Sequence, residues 1–92
     1  MSKATYTYRK SNANLYGRNC REDAIERAKF ESTHDGHLWY VFGGPTGWNG
    51  RDFTGSSYTA TRVKPEGVRA TIISYGEYYG SLAMSGEITR YQ

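Results

Sequence analysis

Asn19-Cys20-Arg21-Glu22-Asp23-Ala24-Ile25-Glu26-Arg27-Ala28-Lys29-Phe30-Glu31 is the stretch on which the fold turns, because a start signal, helical periodicity and good propensity agree only there. Asn19 followed three residues later by Glu22 has capping-box spacing, in which the Asn side chain accepts from free helical N–H groups and the Glu reaches back to the cap. A helix is therefore expected from Cys20, with Glu22 and Asp23 in its first turn and Lys29 near its last, the order that the helix dipole favours. Cys20, Ala24, Ile25 and Ala28 gather on a narrow apolar stripe, while Arg21, Asp23, Glu26 and Arg27 point elsewhere. That stripe needs a sheet beneath it. Two alanines permit a close approach, so Ile25 is expected to supply most of the burial, with Phe30 wrapping the edge.

On either side of the helix the chain reads as short strands. Residues 4–9 alternate Thr and Tyr, both strand formers, with Tyr6 and Tyr8 on one face and Thr5 and Thr7 on the other. After the helix, residues 32–36 are turn chemistry. Residues 37–42, His-Leu-Trp-Tyr-Val-Phe, are too apolar on both sides for a half-wet strand and should lie in the centre of a sheet. Residues 43–57 hold five of the eleven glycines and read as a long loop, a type that is more often functional than a plain connector. Residues 58–63 and 68–75 alternate as strands around Pro65-Glu66-Gly67, which makes a hairpin the economical arrangement. Residues 76–86 fit either a twisted strand or a packed loop, and residues 88–91 an edge strand. The sum is one domain spanning residues 1–92, of α+β class: an antiparallel sheet of four or five strands with one helix across a face, in β-α-β-β-β order. The open face would then carry Tyr and Arg.

Composition narrows the function classes. The net charge of +3 comes from 12 basic and 9 acidic residues mixed along the chain, which excludes both an acidic nucleic-acid mimic and a basic tail. One cysteine excludes an internal disulfide and a cysteine-based zinc site, which fits a reducing compartment. The first residues lack a continuous apolar run, and no stretch approaches the length that crosses a bilayer, so the expectation is a cytoplasmic protein without membrane contact. Nine tyrosines place many phenols in or near the core, each needing a partner for its hydroxyl.

Two patterns point to binding. The glycine-rich loop presents Trp48, Asn49, Arg51 and Phe53, with Tyr58 just after it, and Trp, Tyr and Arg are the residue types that most often dominate protein interfaces. Its glycines and Arg51 would also suit a phosphate, although neither the Walker nor the dinucleotide spacing is present. The second pattern interleaves arginine with tyrosine: Tyr58, Arg62, Arg69 and Tyr75 would form a sheet surface on which bases stack and phosphates meet guanidinium groups. Arginines that merely solvate a strand and lean on rings account for the same pattern. Chemistry finds less footing. Cys20 at a helix N-terminus has a reason for a lowered pKa, yet it sits on the apolar stripe as a small core residue would. His34 and His37 flank a turn and offer too few ligands for a metal. No catalytic residue, cofactor or metal is expected.

The Tyr-rich first strand, the polar loop and the run Arg21-Glu-Asp-Ala-Ile-Glu-Arg-Ala-Lys29 resemble the opening of small α+β accessory proteins encoded by bacteriophages, among them anti-defence inhibitors of the anti-CRISPR type. Gly47-Trp48-Asn49-Gly50-Arg51 is similar to a short stretch in phage proteins that sequester signalling nucleotides. The first resemblance implies a non-enzymatic inhibitor that binds a host or defence protein in the bacterial cytoplasm and blocks it, through Trp48, Asn49, Arg51, Phe53 and Tyr58. The alternative is a nucleic-acid or nucleotide-binding module using Arg51, Arg62, Arg69 and Tyr75. An edge strand at residues 88–91 would also allow a homodimer.

Overall fold

The computed structural model describes residues 4–9, 20–45 and 56–91. They form β1 (Thr5–Arg9), α1 (Cys20–Asp35), β2 (Trp39–Pro45), β3 (Ser56–Thr61), β4 (Ala70–Ser74), β5 (Glu77–Leu82) and β6 (Ile88–Arg90). The strands make one antiparallel sheet in the order β1-β3-β2-β4-β5-β6, and the helix packs against it. The α+β class stands as expected, with six strands rather than four or five.

The helix begins at Cys20 and buries the stripe read from sequence, Cys20, Ala24, Ile25 and Ala28. Asn19, the expected cap, lies outside the described residues. The helix runs past Glu31 to Asp35, through residues that read as a turn. Their side chains serve the helix instead: the hydroxyls of Ser32 and Thr33 both donate to the Lys29 carbonyl, at 3.2 and 2.8 Å, and His34 Nδ1 lies 2.7 Å from the Phe30 carbonyl. Ser32 extends the buried ridge by one turn, and its Oγ accepts the Gly76 N–H from the β4–β5 turn at 3.0 Å. Phe30 is exposed and stacks on His34 rather than sealing the core.

Beneath the helix lie Trp39, Val41, Ala60 and Ile73, with Tyr6, Tyr8 and Tyr58 packed around them. Small residues on the helix and large ones on the sheet let the two layers approach closely. The phenols find partners in a polar seam between α1 and β1. Tyr6 donates to the buried Glu31 at 3.1 Å, Arg27 donates to Tyr8 at 3.1 Å, and the Arg27 guanidinium lies 4.6 Å from the Tyr6 ring centre. The bond to Tyr8 foremost holds the Arg27 pKa above its ordinary value.

Strand β2 is central, as its two-sided apolarity predicted, and pairs with both β3 and β4. Its alternate residues Tyr40 and Phe42 face away from the helix and join Ile72, Ala70, Leu82, Leu38 and Tyr79 in a second apolar cluster. Burial first, and Tyr79 second, hold the Tyr40 phenol above its ordinary pKa. Ile72 in this cluster is 0% exposed, so the side away from the helix is no solvated platform.

That burial follows from a second correction. The expected hairpin of β3 and β4 does not form, because β2 lies between them and pairs antiparallel with both. Strands β3 and β4 therefore run in the same direction, and residues 62–69 must return the chain along the sheet. The return starts on the side away from the helix, where the Thr61 hydroxyl accepts the Val63 N–H at 3.1 Å while also meeting Thr5 Oγ1 at 2.9 Å. By residues 64–67 it has reached Met84, Ser85 and Gly86 at the far end. Two strands apolar on both faces both seek the centre, and this crossover lets β2 and β4 share it.

Strands β4 and β5 join through Tyr75 and Gly76, both at positive φ (48° and 79°), the geometry of a two-residue hairpin turn. A bulge in β5 at the Ile72/Ile73 register step breaks the alternation there, which is why residues 76–86 did not read cleanly as a strand. Gly80 is obligatory for another reason: a Cβ there would lie 2.2 Å from the Thr89 carbonyl oxygen of β6. Strand β6 forms the edge at Ile88–Arg90, as expected.

Candidate functional site

The strand and helix ends define two poles. At one, α1 begins, β2 and β5 end, and β3 and β4 begin; at the other, α1 ends beside the starts of β2 and β5. A strand advances about 3.3 Å per residue, so the poles stand roughly 15 Å apart along β4.

At the pole where the helix ends, Asp35 is the organiser. Its carboxylate accepts the His37 N–H at 2.9 Å and the indole N–H of the fully buried Trp39 at 3.0 Å, and it pairs with Arg62 at 3.5 Å. Burial pushes its pKa up, but the His37 and Trp39 donors and Arg62 outweigh it and hold the carboxyl below its ordinary value. Arg62, expected at a ligand surface, is thus engaged in the fold. Tyr75 sits in the β4–β5 turn, 69% exposed, with its hydroxyl over Gly36 just past the helix.

At the opposite pole a cleft of about 640 Å³ opens among the ends of α1, β2, β3, β4 and β5. Arg21 enters from the first turn of the helix and Arg69 from the residue before β4. Val41, the Tyr58 ring and Met84 give it apolar surface, and Thr71 and Ser81 bring hydroxyls, while the side chains of Phe42 and Leu82, whose residues also border it, belong to the cluster on the other face. Tyr58 is fixed by its cross-strand partner: a Cβ on Gly43 would lie 2.2 Å from its ring, so the ring rests across the glycine. Helix α1 covers β1, β3, β2 and part of β4, which leaves Thr71 and Ser81 on a shelf beyond its flank.

The sequence-derived candidates are therefore divided. Tyr58 and Arg69 line one cleft, whereas Arg62 and Tyr75 lie at the other pole, so the single Tyr–Arg surface does not assemble. Trp48, Asn49, Arg51 and Phe53 lie outside the described residues, while Gly43–Pro45 and residues 56–57, assigned to the same loop, belong to β2 and β3. Sequence reading passed over Arg21, whose neighbours three and four residues on are Ala24 and Ile25; the absence of an acid at those spacings was the available signal. Cys20 is buried on the helix stripe. Among the described residues no group of three or more His, Cys, Asp or Glu is placed to hold a metal, and no helix is long and apolar enough to cross a membrane. Comparison of the chain with protein-family models, with curated proteins and with solved structures returns no match.

Proposed function

We propose that this chain is a non-enzymatic binding protein that attaches to a protein partner and blocks it sterically, as its resemblance to small phage anti-defence inhibitors implies. The observation that supports this reading is the margin formed by β5 and β6. Of the seven exposed large apolar residues described, Tyr78, Met84, Ile88 and Tyr91 all belong to this last hairpin or its end. Strand β6 is also an edge whose outer backbone groups have no strand to pair with among the described residues. Apolar side chains beside an open strand edge suit a partner that adds its own strand and seats side chains against them. The perturbed groups are meanwhile occupied in holding the fold: Asp35 with Trp39, Arg27 with Tyr8, Tyr40 within its apolar cluster.

The test is capture from bacterial lysate on the immobilised full chain, comparing wild type with an Ile88→Asp, Tyr91→Ala variant and with a Trp48→Ala, Arg51→Ala variant. Loss of a specific partner in the first variant is the expected result. Loss only in the second would move the contact to the glycine-rich segment, and recovery unchanged by both would refute the assignment.

A further inference from the structure

We propose that the cleft between Arg21 and Arg69 binds a nucleotide, with the two guanidinium groups on its phosphates and the base against the apolar wall. This site is separate from the β5–β6 edge and stands on different residues.

The first argument is charge. The other arginines whose side chains are described are occupied: Arg27 by Tyr8 and Glu31, Arg62 by Asp35, Arg90 over the Tyr79 ring at 5.4 Å. Lys29 lies 4.8 Å from the Tyr78 ring centre. Arg21 and Arg69 make no ion pair or ring contact among the described residues, although they line the same cleft. No acidic side chain among the described residues lines it with them. The acids next to Arg21 in sequence, Glu22 and Asp23, lie one and two positions on, spacings that do not bring helical side chains face to face. Two like charges around a cavity without a counter-charge raise the potential there, and a multiply charged anion relieves it. Guanidinium groups match phosphate oxygens by paired N–H donation.

The second argument is shape and lining. Inorganic phosphate needs no apolar wall and far less room. At about 640 Å³ the cleft lies within the range of small-molecule sites, roughly 300 to 1,000 Å³. Tyr58 offers a ring to a planar base, Met84 a soft thioether, and Thr71 and Ser81 hydroxyls for a sugar or phosphate oxygen. A cavity of this size suits a mononucleotide or dinucleotide rather than a nucleic-acid strand.

The experiment titrates the isotope-labelled full chain with ADP, pyrophosphate, adenosine and a thymidine decanucleotide, following backbone amide shifts. Wild type is compared with Arg21→Gln, Arg69→Gln and, at the other pole, Arg62→Gln. Both cleft arginines are exposed, so their variants should keep the wild-type melting temperature. ADP is expected to shift amides of Gly43, Tyr58, Thr71 and Ser81, with affinity falling about tenfold on loss of each cleft arginine and unchanged by Arg62→Gln. Pyrophosphate binding as tightly as ADP would overturn the role of the base, and adenosine binding as tightly would overturn that of the arginines. A decanucleotide that binds much more tightly and shifts amides at both poles would replace the nucleotide by nucleic acid. No shift with any probe at low salt would refute the site. Since partner capture is tested through Ile88 and Tyr91, failure here and failure there are distinguishable.

Discussion

Asp35 accepts from donors on two other residues and pairs with a third, and the most demanding is the indole N–H of Trp39, a side chain with no exposed surface. Asp35→Ala would leave that donor buried without an acceptor, a loss of about 1 to 3 kcal/mol measurable by urea unfolding. The pH dependence has a definite sign. Because the folded carboxyl titrates below its ordinary value of 3.8, its stabilisation is fully present above that value and is lost as pH falls through the lower folded pKa. The stability gap between wild type and Asp35→Asn should therefore narrow on acidification below pH about 4 and stay constant near neutrality. Sequence disclosed Asp35 as a turn former and nothing more. Its acceptor role depends on Trp39 swinging back under the helix end, and that of Ser32 on Gly76, 44 residues away. Such partnerships have no local periodicity to betray them.

At the scale of elements, α1 owes its placement to an apolar ridge of mostly small side chains, in which Ile25 is the one large aliphatic residue. Ile25→Ala should cost roughly 2 to 5 kcal/mol, read as a lower midpoint at unchanged slope in denaturant. An unaffected midpoint would mean that the helix does not rest on this residue. The helix, β1 and the central position of β2 were legible because each rests on side-chain alternation or spacing within its own residues. Strand β5 was not, because a bulge and Gly80 interrupt its alternation. The false hairpin had a different cause. Pro65-Glu66-Gly67 is sound turn chemistry, but β2 competes for the flank of β4 with a strand apolar on both faces, and that gain outweighs a short connection. Of the cleft, Tyr58 and Arg69 could be nominated from sequence, yet only the topology puts them at one pole with Arg21.

For the molecule as a whole, protection from solvent should grade from the centre of the sheet outwards. Amides of β2 and β4, paired on both sides and set between two apolar clusters, are expected to exchange hydrogen slowest, at rates set by global unfolding. Those of β6, where every residue is exposed, should exchange orders of magnitude faster through local opening. Uniform protection across all six strands would contradict this gradient. The crossover of residues 62–69 also constrains how the chain assembles. Each of β2–β3 and β4–β5 closes between sequence neighbours, so both hairpins can zip before they meet. The β2–β4 junction then joins two prefabricated halves across a tether already spent on reaching the right pole, which makes that junction a late step in assembly, although it lies at the best protected line of the finished sheet.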